Sequence, residues 1–159
     1  MLTKSFNNSL ELNVWAPEAN SCAVSCSGVK TTLSNNAGYF SGAVSCSPGS
    51  KYNLIFDGSL SRIDPLALDV MTDMSASIVP QSYSFNSPQV FIDKSRIVIY
   101  EMHIASFTSA GTFDAAIDKL DYLAGLGVTM LELMPIFHFC GDAGGWGYNP
   151  CAPWAIKPE

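Results

Sequence analysis

With 159 residues, 48% of them hydrophobic and only 14% charged, the chain can bury a sizeable core and is not a disordered segment. A net charge of −6 argues against a nucleic-acid partner, which needs a basic surface, and fits a neutral ligand. No apolar run reaches membrane-span length, the first residues lack a signal-peptide core, and the five cysteines are an odd number; together these predict reduced thiols and a cytoplasmic protein with no membrane partner.

In chain order, Leu10, Leu12, Val14 and Ala16 alternate with outward positions, the period of a half-buried strand, and Pro17 ends it. Cys22, Val24 and Cys26 share one face of the next strand, so their thiols read as small core hydrophobes. A metal site there needs two more ligands that the neighbouring sequence does not offer. Turn signals at 27–28, 35–38 and 47–49 separate strand-like stretches at 29–33, 39–46 and 51–57. Short strands at close spacing, without a helix signal, predict an all-β sandwich over residues 1–64. Residues 65–95 lose any sustained period and are punctuated by Pro65, Pro80 and Pro88, which predicts an interdomain segment. Its Leu66, Leu68, Val70, Met71, Val90 and Phe91 predict packing on its neighbours. No internal repeat is evident.

Residues 96–159 read differently. Apolar runs at 97–104 and 128–135 have the character of strands buried on both faces of a parallel sheet. Between them Phe113, Ala116, Ile117, Leu120, Leu123 and Ala124 recur at helical spacing, with Thr112 as N-cap, Asp114 in the first turn and Gly127 as the stop. The result is one βαβ unit with a right-handed crossover. Two parallel strands and one helix cannot close a barrel, so the expectation is an incomplete, truncated one.

Glu101, His103 and Glu132 interrupt the two apolar runs. They could line a site at strand ends or form a hydrogen-bonded polar cluster inside a barrel; the structural role is favoured, and His103, nearest a strand end, is the best of the three for touching ligand. His138, Cys140, Asp142 and Cys151 match no zinc-ligand spacing, so no metal is expected, and no cofactor. The glycines after Asp142 precede no lysine-bearing helix, and no Gly-x-Ser-x-Gly elbow occurs. Trp146 and Tyr148 flank Gly147 on the face where barrel sites lie. Aromatic faces suit the C–H face of a sugar ring, yet both rings could equally plug the barrel top.

These residues carry a resemblance. Val98-Ile99-Tyr100-Glu101-Met102-His103-Ile104, Phe107-Thr108, Gly111-Thr112-Phe113-Asp114, Leu126-Gly127-Val128-Thr129, Glu132-Leu133-Met134-Pro135 and Trp146-Gly147-Tyr148 resemble the α-amylase superfamily (glycoside hydrolase family 13). The likeness is to its maltooligosyltrehalose trehalohydrolases and glycogen branching enzymes, then to isoamylases and pullulanases. Val14-Trp15-Ala16-Pro17-Glu18-Ala19 resembles the start of their N-terminal module, and Asp64-Pro65 the segment leaving it. The resemblance implies an immunoglobulin-like β-sandwich of the glycogen-binding type, followed by the first βαβ unit of a (β/α)₈ TIM barrel. It implies that Tyr148 stacks on the sugar at the cleavage point and that Trp146 shapes the same loop. The parent enzyme would act on an α-glucan or malto-oligosaccharide by a retaining mechanism, with its carboxylates on strands four and five. No such strand is in this sequence, so this chain by itself is expected to be inactive. The alternative is a non-catalytic glucan-binding or interaction module.

Overall fold

A computed structural model of the chain describes residues 4–6, 8–84, 86, 90–141 and 145–157. The first nine strands are β1 (Lys4–Phe6), β2 (Ser9–Trp15), β3 (Cys22–Cys26), β4 (Val29–Thr32), β5 (Ser34–Asn36), β6 (Tyr39–Ser45), β7 (Lys51–Phe56), β8 (Leu60–Arg62) and β9 (Ser77–Ile78). They form two antiparallel sheets, β1-β2-β6-β5 and β4-β3-β7, the second edged by β8 and β9, which pair with different stretches of β7. The alternation read in the sequence decides which side chains turn inward. Leu10, Leu12 and Val14 of β2, with Phe40 and Val44 of β6, pack against Val24 of β3 and Leu54 of β7. The two sheets thus face each other over one core.

Two disulfides correct the expectation of reduced thiols: Cys26 is bonded to Cys46, and Cys140 to Cys151. Strand parity placed Cys26 on an inner face, but parity cannot say which thiol of the opposite sheet stands across from it. Cys26 closes β3, Cys46 follows β6, and their Cα atoms lie 6.3 Å apart. Closing a loop with a sequence separation of 20 is worth about 3 kcal/mol of chain entropy. Bridged cysteines also remove the ground for a cytoplasmic expectation that rested on reduced thiols. What is seen directly is that no helix among the described residues is long and apolar enough to cross a membrane.

Cys22 is the remaining thiol, buried in the core. Burial, and after it the negative charge of Asp64, push it up to about 11 from 9.0. Because the unfolded chain releases this proton first, the fold should lose stability as pH climbs from 9.0 to about 11. A thiol reagent at pH 8 should find no reactive cysteine in the native chain and one after denaturation without reductant. Five thiols in denaturant would refute both bridges.

The connecting segment is tied down over much of its length. Asp64 is fully buried; its Oδ2 accepts the Tyr52 hydroxyl at 2.8 Å and its Oδ1 accepts the Leu66 N–H at 2.9 Å. The Asp64 N–H donates to Ser77 Oγ at 2.8 Å. Ser77 lies in β9, so this network and the β9–β7 ladder stitch residues 64–78 onto the second sheet. Ala67 and Val70 then bury against Ala152 and Ala155 further along the chain.

After a 3-10 turn at Lys94–Arg96, β10 (Ile99–Met102) and β11 (Met130–Leu133) pair in parallel with Ile99 opposite Met130. Between them lie α1 (Ile104–Phe107), α2 (Phe113–Ile117) and α3 (Leu120–Gly125). Met102, Ile104, Ala116 and Leu123 form their core. Thr112 caps α2 as its sequence suggests, accepting from the Ala115 N–H at 3.3 Å. The single helix expected between the runs is broken at Asp118–Lys119. There the Lys119 N–H takes the Ala116 carbonyl three residues back, a tighter turn than an α-helix makes. Two further strands, β12 (Phe137–Phe139) and β13 (Pro150–Ile156), pair antiparallel where the sequence reading assigned no strand.

Candidate functional site

Beyond the C-terminal ends of β10 and β11 opens a cleft of about 430 Å³. Three segments build it. One is His103 to Ala105, where β10 runs into α1; another is 110–113, leading into α2; the third is Met134 to Ile136, which leaves β11. Phe139, Gly145 and Lys157 complete the wall. The lining is largely apolar, with His103, Thr112 and Lys157 as polar contributors. The Lys157 Nζ stands 4.0 Å from the centroid of the Phe139 ring, a cation–π contact that holds the charge at the wall.

His103 is fixed from two sides. Its Nδ1 is 3.0 Å from Ser106 Oγ, one turn on, and its ring lies against Trp146 with centroids 4.8 Å apart at 55°. Gly147 explains how Trp146 arrives there. This residue is buried with φ +81°, and a Cβ on it would sit 2.7 Å from the Pro135 carbonyl oxygen. Only glycine lets the loop press against the end of β11 while its aromatic neighbours splay outward. The loop is closed at its base by the Cys140–Cys151 bridge and by Asn149, whose Nδ2 donates to the Cys140 carbonyl at 2.6 Å.

The three sugar-contact candidates therefore part company. His103 lines the cleft, and Trp146, 57% exposed, leans on it. Tyr148 does not line the cleft and stands 70% exposed on the far side of Gly147. Glu101 and Glu132 face each other across the parallel pair, both exposed, so the buried polar cluster expected of them is not formed among the described residues. Of the zinc candidates, Cys140 and Cys151 are bonded to each other, His138 is buried in β12, and Asp142 lies outside the described residues. Among the described residues, no three His, Cys, Asp or Glu side chains gather as a metal site would need. Sequence reading missed Phe139 and Lys157, which it assigned to no element or site; the alternating Phe137-His138-Phe139 was the available signal.

The chain thus joins a parallel strand pair under a strand-end cleft to two facing antiparallel sheets. No protein-family profile matches the chain. Sequence relatives and structural neighbours are found, and they are α-amylase-family glycoside hydrolases, with whose N-terminal portion the chain is consistent. The particular relatives are malto-oligosyltrehalose trehalohydrolases. That of Saccharolobus solfataricus is 32% identical over 151 residues, 91% of this chain and 27% of the relative. That of Mycobacterium tuberculosis is 64% identical over 52 residues, 33% of this chain and 9% of the relative. Among solved structures, a Salmonella typhimurium protein described as an alpha amylase superposes with a TM-score of 0.87 at 30% identity, covering 99% of this chain and 28% of that one. Bacillus subtilis type I pullulanase, solved with maltose, gives 0.81 at 24% identity over 99% of this chain and 28% of its own. The chain spans about a quarter of the length of the full-coverage relatives.

Proposed function

We propose that this chain supplies the opening portion of an α-glucan-acting glycoside hydrolase or transglycosidase of the malto-oligosyltrehalose trehalohydrolase type. The observation that carries the reading is the 32% identity sustained over 151 residues, which spans both the facing sheets and the cleft. In this reading residues 1–64 are an immunoglobulin-like β-sandwich, 65–95 an interdomain segment, and 96–159 the first βαβ unit of a (β/α)₈ barrel. Neighbours solved with maltose, maltotriose and maltotetraose support a malto-oligosaccharide as ligand. His103 and Trp146 form one wall for the sugar, with the Trp146 ring offered to its C–H face, and Tyr148 extends that surface outward. The chain holds and orients glucan; the carboxylates of a retaining mechanism belong to later strands.

The reading is tested on two levels. The purified chain should release no reducing ends from α-glucan above background, and its reading frame, extended, should encode further βα units bearing carboxylates. Glucan hydrolysis by the chain would overturn the assignment of catalysis to later strands. In the longer protein, Tyr148→Ala should cut kcat/KM about tenfold or more while leaving the melting temperature in place. An early melt with normal turnover would make the ring a structural plug. The oxidation state of the five cysteines in the native host decides the compartment, a reduced set agreeing with cytoplasm.

A further inference from the structure

We infer that the Cys140–Cys151 bridge is a reversible redox site, reduced by a dithiol, whose state sets whether Trp146 is held against His103 at the cleft. The two bridges of the chain differ in the way such a role requires. Cys26 and Cys46 are buried among the core residues between the facing sheets. Cys140 is exposed and Cys151 half-buried. Thiol–disulfide exchange begins with a thiolate reaching a sulfur, so the buried bridge is structural and the accessible one exchangeable.

What the accessible bridge holds is the aromatic loop. Its cysteines lie just past β12 and in the second position of β13, 11 positions apart, with Cα atoms separated by 5.7 Å. The ladder between those strands is irregular beside them. Its register shifts twice, and its last pair sets Phe139 opposite Pro150, which has no N–H to donate. Among the described residues, no backbone hydrogen bond ties 145–148 to the rest of the chain. The base of the loop is fastened by the Asn149 Nδ2 bond to the Cys140 carbonyl and by the bridge itself. Above that base, Gly147 against Pro135 and Trp146 against His103 are contacts made only while the loop is pressed to the end of β11.

The step is a balanced two-electron exchange. A thiolate of the dithiol attacks the sulfur of Cys140, the more exposed partner; the S–S bond breaks, and Cys151 leaves as thiolate and takes up a proton. The reductant's second thiol, deprotonated in turn, attacks the mixed disulfide and releases Cys140. Two electrons and two protons have then passed to the chain, and the dithiol leaves as its own disulfide. Opening the ring returns conformational freedom to the segment between the cysteines, and that freedom must be given up each time Trp146 docks. The oxidised chain therefore holds this wall of the cleft ready, and the reduced chain does not. That the wall binds malto-oligosaccharide rests on the proposed function; the redox site rests on the bridge, its exposure and the loop it closes.

The test compares the oxidised 159-residue chain with the same chain treated with dithiothreitol. Both carry Trp15→Phe and Trp154→Phe, at exposed positions, so that of the three tryptophans only Trp146 emits. Alkylation of the folded, reduced chain should label Cys140 and Cys151 and leave Cys22, Cys26 and Cys46 unlabelled. Trp146 emission should shift, maltotetraose should bind about fivefold more weakly, and re-oxidation should reverse both. Cys140→Ser/Cys151→Ser should show the reduced chain's emission and affinity with or without dithiothreitol. Labelling of Cys22 would mean that the core opens too, and overturns a local switch. A pair that stays unlabelled, a labelled pair with unchanged emission, or a serine variant that emits like the oxidised chain overturns it as well, whatever maltotetraose does. If emission switches while maltotetraose binding is absent or equal in both forms, the redox site stands and the cleft reading fails.

Discussion

Replacing Asp64 with alanine is expected to lower the unfolding free energy by about 2–5 kcal/mol, a large fraction of what a domain of this size has. The carboxylate is fully buried and accepts the Tyr52 hydroxyl and the Leu66 N–H through different oxygens. Alanine would remove the acceptor of both hydrogen bonds, and Tyr52 is itself buried, so water could not replace that acceptor without opening the core. Asp64→Asn keeps the shape and one acceptor and should cost distinctly less. The thiol of Cys22 supplies an independent readout, because Asp64 contributes to raising its pKa; without that charge the thiol should titrate lower. Urea denaturation of the three proteins decides the matter, and an alanine variant as stable as wild type would show that the network contributes nothing.

Gly147→Ala should have the largest effect at the cleft. The residue is held at φ +81°, and its Cβ would fall 2.7 Å from one Pro135 atom and 2.9 Å from another. Backbone strain of this kind costs about 1–3 kcal/mol, and the loop must also withdraw from the end of β11. Trp146 would then leave His103, so its fluorescence should shift and any maltotetraose affinity should fall by about tenfold or more. A variant with unchanged emission and affinity would show that the loop is not set by this close approach.

The parts of the fold that were legible in the sequence are those where a two-residue period meets a one-sided core. β2, β3 and β7 were read from Leu10-Leu12-Val14, Cys22-Val24-Cys26 and 51–57, and each buries the side its pattern indicates. β13 was hidden because Pro150 and Pro153 argue against a strand. They are tolerated because, among the described residues, β13 pairs on one side only, with β12. β9, of two residues, is too short to show any period and exists because β7 offers it an edge. At the site, His103 and Trp146 were readable as candidates from residue type and place, but their contact was not. That contact depends on Gly147 nesting against Pro135, 12 positions back along the chain, which local pattern does not encode. The disulfides escaped for the same reason.

The Cys26–Cys46 bridge has a consequence for the chain's survival in a protease-rich setting. Everything between those residues, including the turns before β4 and β6, is a covalent loop rather than a linear segment. A single cut there, at the exposed residues 35–37 for example, would open the loop without releasing a piece. Both halves would stay fastened through a bridge whose cysteines are 4% and 3% exposed, shielded from soluble reductants. A nicked molecule would migrate as intact chain until it was both reduced and denatured, and its sheets could stay assembled across the cut.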